Sequence, residues 1–178
     1  MDYEPFDHRH RFAVWAAARA AQRGFAPVEV LRAALEATDI VHFVRDPASV
    51  QVDERAFEAH HRRWCTAIVE FLAEKGIANV TYGRAAKLVA VYLKSMIVLG
   101  PDGSSSLASV AHPPIDRILL RNLACSDVTS PHKSEWRATT WTTLDEQSYY
   151  ALISQLRGVL AKSEPFWKLE KYWTVTND

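Results

Sequence analysis

Cysteine is scarce in this 178-residue chain, which holds two, Cys65 and Cys125. Two thiols cannot hold an iron–sulfur cluster, which takes about four, and their paucity points to a reducing, cytoplasmic setting. Net charge is also lacking: 21 Lys+Arg balance 21 Asp+Glu, so nothing draws the whole molecule to nucleic acid or an anionic membrane. Any polyanion site must be local. No apolar run is long enough to span a bilayer, since the longest, Leu88 to Leu99, is broken by Lys94. The first residues, Met-Asp-Tyr-Glu-Pro-Phe-Asp-His-Arg-His, lack the apolar core of a signal peptide. No segment alternates with a sustained period of two, which argues against a sheet, and no internal repeat is evident.

What is present is the composition of a globular protein, 48% hydrophobic and 24% charged, at a length that suits one domain. Helical spacing predicts an all-α globule of about six or seven helices. The first covers residues 8 to 23, with Asp7 as cap, Gly24 as stop and Phe12, Trp15, Ala16 and Ala20 as its apolar stripe. Pro27 opens a second helix carrying Val28, Leu31, Ala34 and Leu35 on one face, and Ile40 to Val44 reads as a turn or extended connection. Asp53 caps a third, with Phe57, Trp64, Ile68, Phe71 and Leu72 inward and Gly76 at its end. The fourth, Tyr82 to Leu99, is apolar on most of its circumference, as a central helix should be. A fifth begins at Pro113-Pro114, a sixth runs from a Thr143–Glu146 capping box to about Ala161, and a short aromatic helix covers Pro165 to Val175.

The chemistry concentrates between Tyr82 and Leu120. Lys87 and Lys94 are seven residues apart, nearly in line on a helix of about 3.6 residues per turn. An apolar wall lowers the pKa of a lysine and makes its amine a nucleophile, although a lysine at the edge of the stripe would reach out to water instead. Asp116 follows two prolines, in the first turn of the fifth helix, where a carboxylate suits the free N–H groups and can be a simple capping residue. Between residues 76 and 126 the bases Arg84, Lys87, Lys94, Arg117 and Arg121 face two acids, Asp102 and Asp116, a small surplus that fits either a solvated pattern or a phosphate-facing patch. His8 with His10, His60 with His61, and His61 with Cys65 could each supply two metal ligands, but no third is spaced to join them and no metal or cofactor is expected. His112, directly before Pro113-Pro114-Ile115-Asp116, either finishes the loop or reaches a ligand beside Asp116.

Gly83, then Lys87 on a helix, a loop, and Pro114-Ile115-Asp116 form a pattern that resembles the helix-hairpin-helix DNA glycosylases. More narrowly, Lys87-Leu-Val-Ala-Val-Tyr-Leu-Lys94 and the C-terminal Leu169-Glu170-Lys171-Tyr172-Trp173 are similar to the archaeal 8-oxoguanine glycosylase branch. The chain differs from that pattern in three places. The hairpin sequence Leu-Pro-Gly-(any)-Gly is reduced to Tyr82-Gly83, Val91 stands where an aromatic residue is usual, and Glu170 to Trp173 is one residue shorter. The resemblance implies base excision from DNA by a monomer without a cofactor. Lys87 would attack C1′ of a flipped-out nucleotide and Asp116 would stabilise positive charge on the sugar. It further implies that Lys94, Glu170 and Trp173 surround the base, that Trp15 or Gln22 closes the pocket, and that Arg84, Arg117 and Arg121 take phosphates. Such a site requires Lys87, Asp116 and Trp173 to bound one cavity. The competing expectation is a non-enzymatic helical module that binds DNA or a protein.

Overall fold

The computed structural model describes residues 3–22, 25–47 and 51–174, the side chain of Gln22 excepted. Every regular element among them is helical: α1 Pro5–Gln22, α2 Val28–Glu36, α3 Ile40–Phe43, α4 Glu54–Glu74, α5 Tyr82–Leu93, α6 Ser106–Val110, α7 Arg117–Cys125, α8 Lys133–Ala138 and α9 Glu146–Arg157. A π turn at Lys94–Val98 continues α5, and 3-10 turns cover Trp141–Thr143 and Phe166–Tyr172. No helix among the described residues is long and apolar enough to cross a membrane.

The fold is organised around α5. Ala85, Ala86, Leu88, Val89, Ala90, Tyr92 and Leu93 are all buried, so its apolar circumference is covered on nearly every side. Its main neighbours are α1 and α4. The face α1 buries is Ala13, Val14, Ala17, Ala18 and Ala21, while Phe12 and Trp15 are more than half exposed. The expected stripe of Phe12, Trp15, Ala16 and Ala20 is therefore rotated: small side chains let the α1 and α5 backbones approach, and the aromatics turn outward. The expected stop at Gly24, together with Arg23, lies outside the described residues.

Caps explain most of the boundaries. Asp53 accepts from Ala56 N, Thr81 from Arg84 N, and Ser105 from Ala108 N. Gly76 ends α4 with φ +72°, the left-handed conformation that glycine adopts without strain. The cap of α9 is Asp145, which accepts from Ser148 N, rather than the expected Thr143, which belongs to the 3-10 turn before it. Of the two forms expected for Ile40 to Val44, a turn or an extended connection, Ile40–Phe43 takes the first, as a single helical turn, and α6 and α8 are short helices inside stretches whose polar composition reads as loop. The C-terminal aromatic segment is a 3-10 turn; Val175, its expected end, lies outside the described residues.

A second feature of the core is a cluster of polar aromatics between α4, α5 and α9. His61 Nδ1 is 2.9 Å from Tyr150 Oη, Tyr82 Oη is 3.2 Å from Tyr150 Oη, and His112 Nδ1 is 3.0 Å from Tyr149 Oη. These bonds satisfy groups that would otherwise be buried without partners.

Candidate active site

Gly83 fixes where α5 begins. It lies in the first turn of the helix, not in a hairpin turn before it, and its N–H donates to Leu144 O at 2.9 Å. A Cβ on Gly83 would collide with the carbonyl oxygen of Trp141. Glycine is thus needed for the close approach of the Trp141–Thr143 turn, and Thr81 Oγ1 ties the same turn down by donating to Thr142 O at 2.8 Å. One turn further along α5 the same 3-10 turn meets Lys87, whose Nζ lies 5.8 Å from the centre of the Trp141 ring.

The partner of Lys87 arrives on an extended segment. His112 and the two prolines keep 112–115 out of the helix, since a residue before proline is pushed from the α region. Consequently α7 starts at Arg117, and Asp116 is its N-cap rather than part of its first turn, with φ −151° and ψ 176°. Asp116 Oδ1 accepts from Leu119 N at 2.9 Å, and Oδ2 accepts from both Lys87 Nζ and Trp173 Nε1 at 2.9 Å. Lys87 is 6% exposed and Asp116 8%, which makes this a buried ion pair.

The two charges respond differently to burial. Burial lowers the Lys87 pKa from the usual lysine range, against the opposing pull of Asp116. For Asp116 burial acts upward, but the Lys87 ammonium, the Leu119 amide and the Trp173 indole together hold its carboxyl below the ordinary value. Glu170 moves the other way: burial raises its pKa despite its ion pair with Lys94. Two carboxylates with opposite tendencies therefore stand in one site.

Lys87, Asp116 and Trp173 bound a single cavity of ≈ 430 Å³, whose wall also contains Arg19, Val91, Lys94, Trp141 and Glu170. Lys94, Glu170 and Trp173 are shared with a neighbouring space of ≈ 780 Å³ lined further by Trp167 and Lys171. Lys94 Nζ sits 5.4 Å from the centre of the Trp173 ring, so the partition between the two spaces is a cation, a carboxylate and an indole.

Several expected site residues lie elsewhere. His112 packs on Phe57, His61 and Phe166 and lines a different cavity, of ≈ 350 Å³, with Glu54, Glu58 and Tyr150, and is absent from the wall that Asp116 lines. Trp15 is 54% exposed, leans on Phe12 with ring centres 6.0 Å apart, and is absent from the cavity wall. Arg19, one turn further along α1, lines the cavity instead. The side chain of Gln22 is outside the described residues. Arg84 lies over the Phe25 ring at 4.3 Å, away from Arg117 and Arg121, which share a cleft with each other.

Trp141 is the site residue that sequence reasoning missed. It supplies an aromatic surface where Val91 does not, and its signal was the pairing of Gly83 with a short Thr-Trp-Thr-Thr turn far along the chain. Comparison with protein-family models, with curated proteins and with solved structures gave no match to this chain.

Proposed function

We propose that the chain is a DNA glycosylase that removes a modified base, an 8-oxoguanine-like purine or a bulky modified cytosine, with strand-nicking lyase activity through a lysine imine. The observation that supports this reading is the Lys87 Nζ to Asp116 Oδ2 contact of 2.9 Å on the wall of a cavity carrying two tryptophans. An extruded nucleotide would bring its base between Trp141 and Trp173, with Lys94 and Glu170 at its polar edge. The glycosidic bond breaks with its electron pair leaving on the base. The Asp116 carboxylate stabilises the cationic sugar, and the departing base takes a proton from Lys87. The freed amine lone pair then bonds C1′, and the sugar ring opens as O4′ leaves with the C1′–O4′ electron pair and takes up the proton lost from that nitrogen, which leaves an iminium. Burial, by lowering the Lys87 pKa, eases that proton transfer.

Borohydride should trap a covalent complex between the protein and DNA carrying the correct base. Lys87→Gln should abolish trapping and Lys94→Gln should retain it. Trapping that survives in Lys87→Gln and vanishes in Lys94→Gln would move the nucleophile, and failure to release any base from a panel of modified DNAs would sink the enzyme reading.

One observation favours the second reading, a helical binding module: Asp116 already has three donors and completes a helix cap without any substrate. Asp116→Asn separates the two. An enzyme loses about a hundredfold or more in turnover while still binding DNA, whereas a binding module keeps its affinity and has no turnover to lose.

A further inference from the structure

On α7, Arg117, Arg121 and Cys125 follow one another at intervals of four residues, a stripe rising roughly 6 Å per step. Asp116, immediately before the stripe, faces the Lys87 cavity, while the stripe itself faces α8. Between the two helices lies a separate cleft of ≈ 340 Å³ lined by Arg117, Arg121, Cys125, Trp136, Arg137 and Thr139. Its lining contains three guanidinium groups and no carboxylate.

The third arginine is held there by the packing of α8. Trp136 is buried and donates from Nε1 to Gln155 Oε1 at 3.0 Å, which anchors α8 against α9. The next residue, Arg137, leans over the end of α7, with Nη2 3.5 Å from Ala124 O and 3.7 Å from Cys125 Sγ. Glu135, the acid of α8, is occupied with His132 and Gln155. Among the described residues none of the three arginines has an ion-pair partner. Like charges gathered in a concave site repel one another and create a local positive potential, which an anion relieves. Guanidinium groups present paired N–H donors that match phosphate oxygens.

We infer that the cleft between α7 and α8 is a phosphate subsite for a nucleic-acid strand, formed by Arg117, Arg121 and Arg137. It lies around the N-terminal end of α7 from the Lys87 cavity, so a strand delivering a nucleotide to that cavity lays a flanking phosphate along the stripe. The identity of the polymer rests on the glycosylase reading; the phosphate chemistry rests on the three arginines.

Cys125 is a built-in reporter. It is exposed within the cleft, whereas Cys65 is fully buried and burial pushes its thiol well above the usual range, so a neutral alkylating reagent such as iodoacetamide modifies Cys125 alone. An unmodified oligonucleotide at low salt should slow that alkylation about tenfold, with the protection fading as salt rises. In a protein carrying both Arg121→Gln and Arg137→Gln, the ratio of rates with and without oligonucleotide should fall to near unity. Equal protection in that variant, or none in the unaltered protein, overturns the subsite. Protection by millimolar inorganic phosphate but not by the oligonucleotide assigns the cleft to a small free anion and overturns the strand. Because labelling needs no base removal, Lys87→Gln should be protected like the unaltered protein. Protection without base release from any DNA would therefore count against the glycosylase and not against the cleft.

Discussion

At the scale of single residues the site depends on how Asp116 divides its two oxygens. Oδ1 closes the α7 cap and Oδ2 serves Lys87 and Trp173. In Asp116→Asn the amide can still accept from Leu119 N, but its NH₂ then meets donors, and Lys87 keeps a charge without a counterion. Breaking a buried pair from one side costs about 3–5 kcal/mol, so urea denaturation at neutral pH should show a loss of that order. Adding Lys87→Met to Asp116→Asn should recover a large part of it, because the orphaned charge is gone. The sign of the pH dependence follows from the Asp116 carboxyl being held below its ordinary value of 3.8. Its contribution is present in full above that value and is lost as pH falls through the lower folded one, so the gap between the variant and the parent should persist to pH 3.8 and close beneath it. Lys87 and Asp116 could be picked out of the sequence because lysine in an apolar helix and aspartate after two prolines are unusual placements, whereas Trp173 was singled out only through the resemblance of the C-terminal segment. His112 could not be assigned, since its distance from Asp116 depends on the extended backbone of the prolines rather than on its proximity in sequence. Trp15 misled for a related reason: hydrophobicity marks a face as apolar without saying whether alanines or aromatics will fill the interface.

At the scale of elements, the long helices were legible from their periodicity, and Asp53 and Gly76 marked the ends of α4, whereas Asp7 lies inside α1 instead of capping it and Asp145, not Thr143, caps α9. The short helices were not legible. The turn at Trp141–Thr143 is held by Gly83 and Thr81, which lie about sixty residues earlier. This pairing gives a direct test. A glycine inside a helix normally gains stability on replacement by alanine, about 1 kcal/mol from propensity alone. Here the new Cβ would meet the Trp141 carbonyl, so the backbone turn would have to move. Gly83→Ala should accordingly destabilise by about 1–3 kcal/mol, reversing the usual sign, and displacement of Trp141 should weaken any ligand of the Lys87 cavity more than the loss of stability alone would. A melting temperature equal to or above that of the parent would show that the turn is not pinned in this way.

At the scale of the whole molecule, the all-α architecture around α5 was readable from composition and period, whereas the division of space into separate cavities was not, since each cavity is bounded by elements distant in sequence. Nor could the interior histidines be told from exposed ones. His61 is fully buried, with its pKa pushed down to about 3 by burial and by the nearby Arg62 cation. His112 is also held well below the ordinary 6.5, by burial and then by His61 and Arg62. Both are neutral in the fold, so unfolding takes up protons below pH 6.5 and stability falls as pH drops, by about 1.4 kcal/mol per pH unit for each histidine. Urea midpoints should therefore decline between pH 6.5 and 5, a loss of about 3 kcal/mol in all. A flat profile over that range would mean that one or both rings are solvated.

The π turn at Lys94–Val98 closes with Leu99 N donating to Lys94 O at 2.9 Å, five residues back. Such a turn houses one residue more than an α-helix requires. The surplus residue is taken up as a bulge, so a chain shortened by one residue in this stretch would close into uninterrupted helix and leave Lys87 where it stands. The bulge begins at the lysine that meets Glu170 and the Trp173 ring, so a single-residue deletion, with no side chain of the site altered, would re-aim Lys94 and open the partition between the two cavities while sparing the Lys87–Asp116 pair.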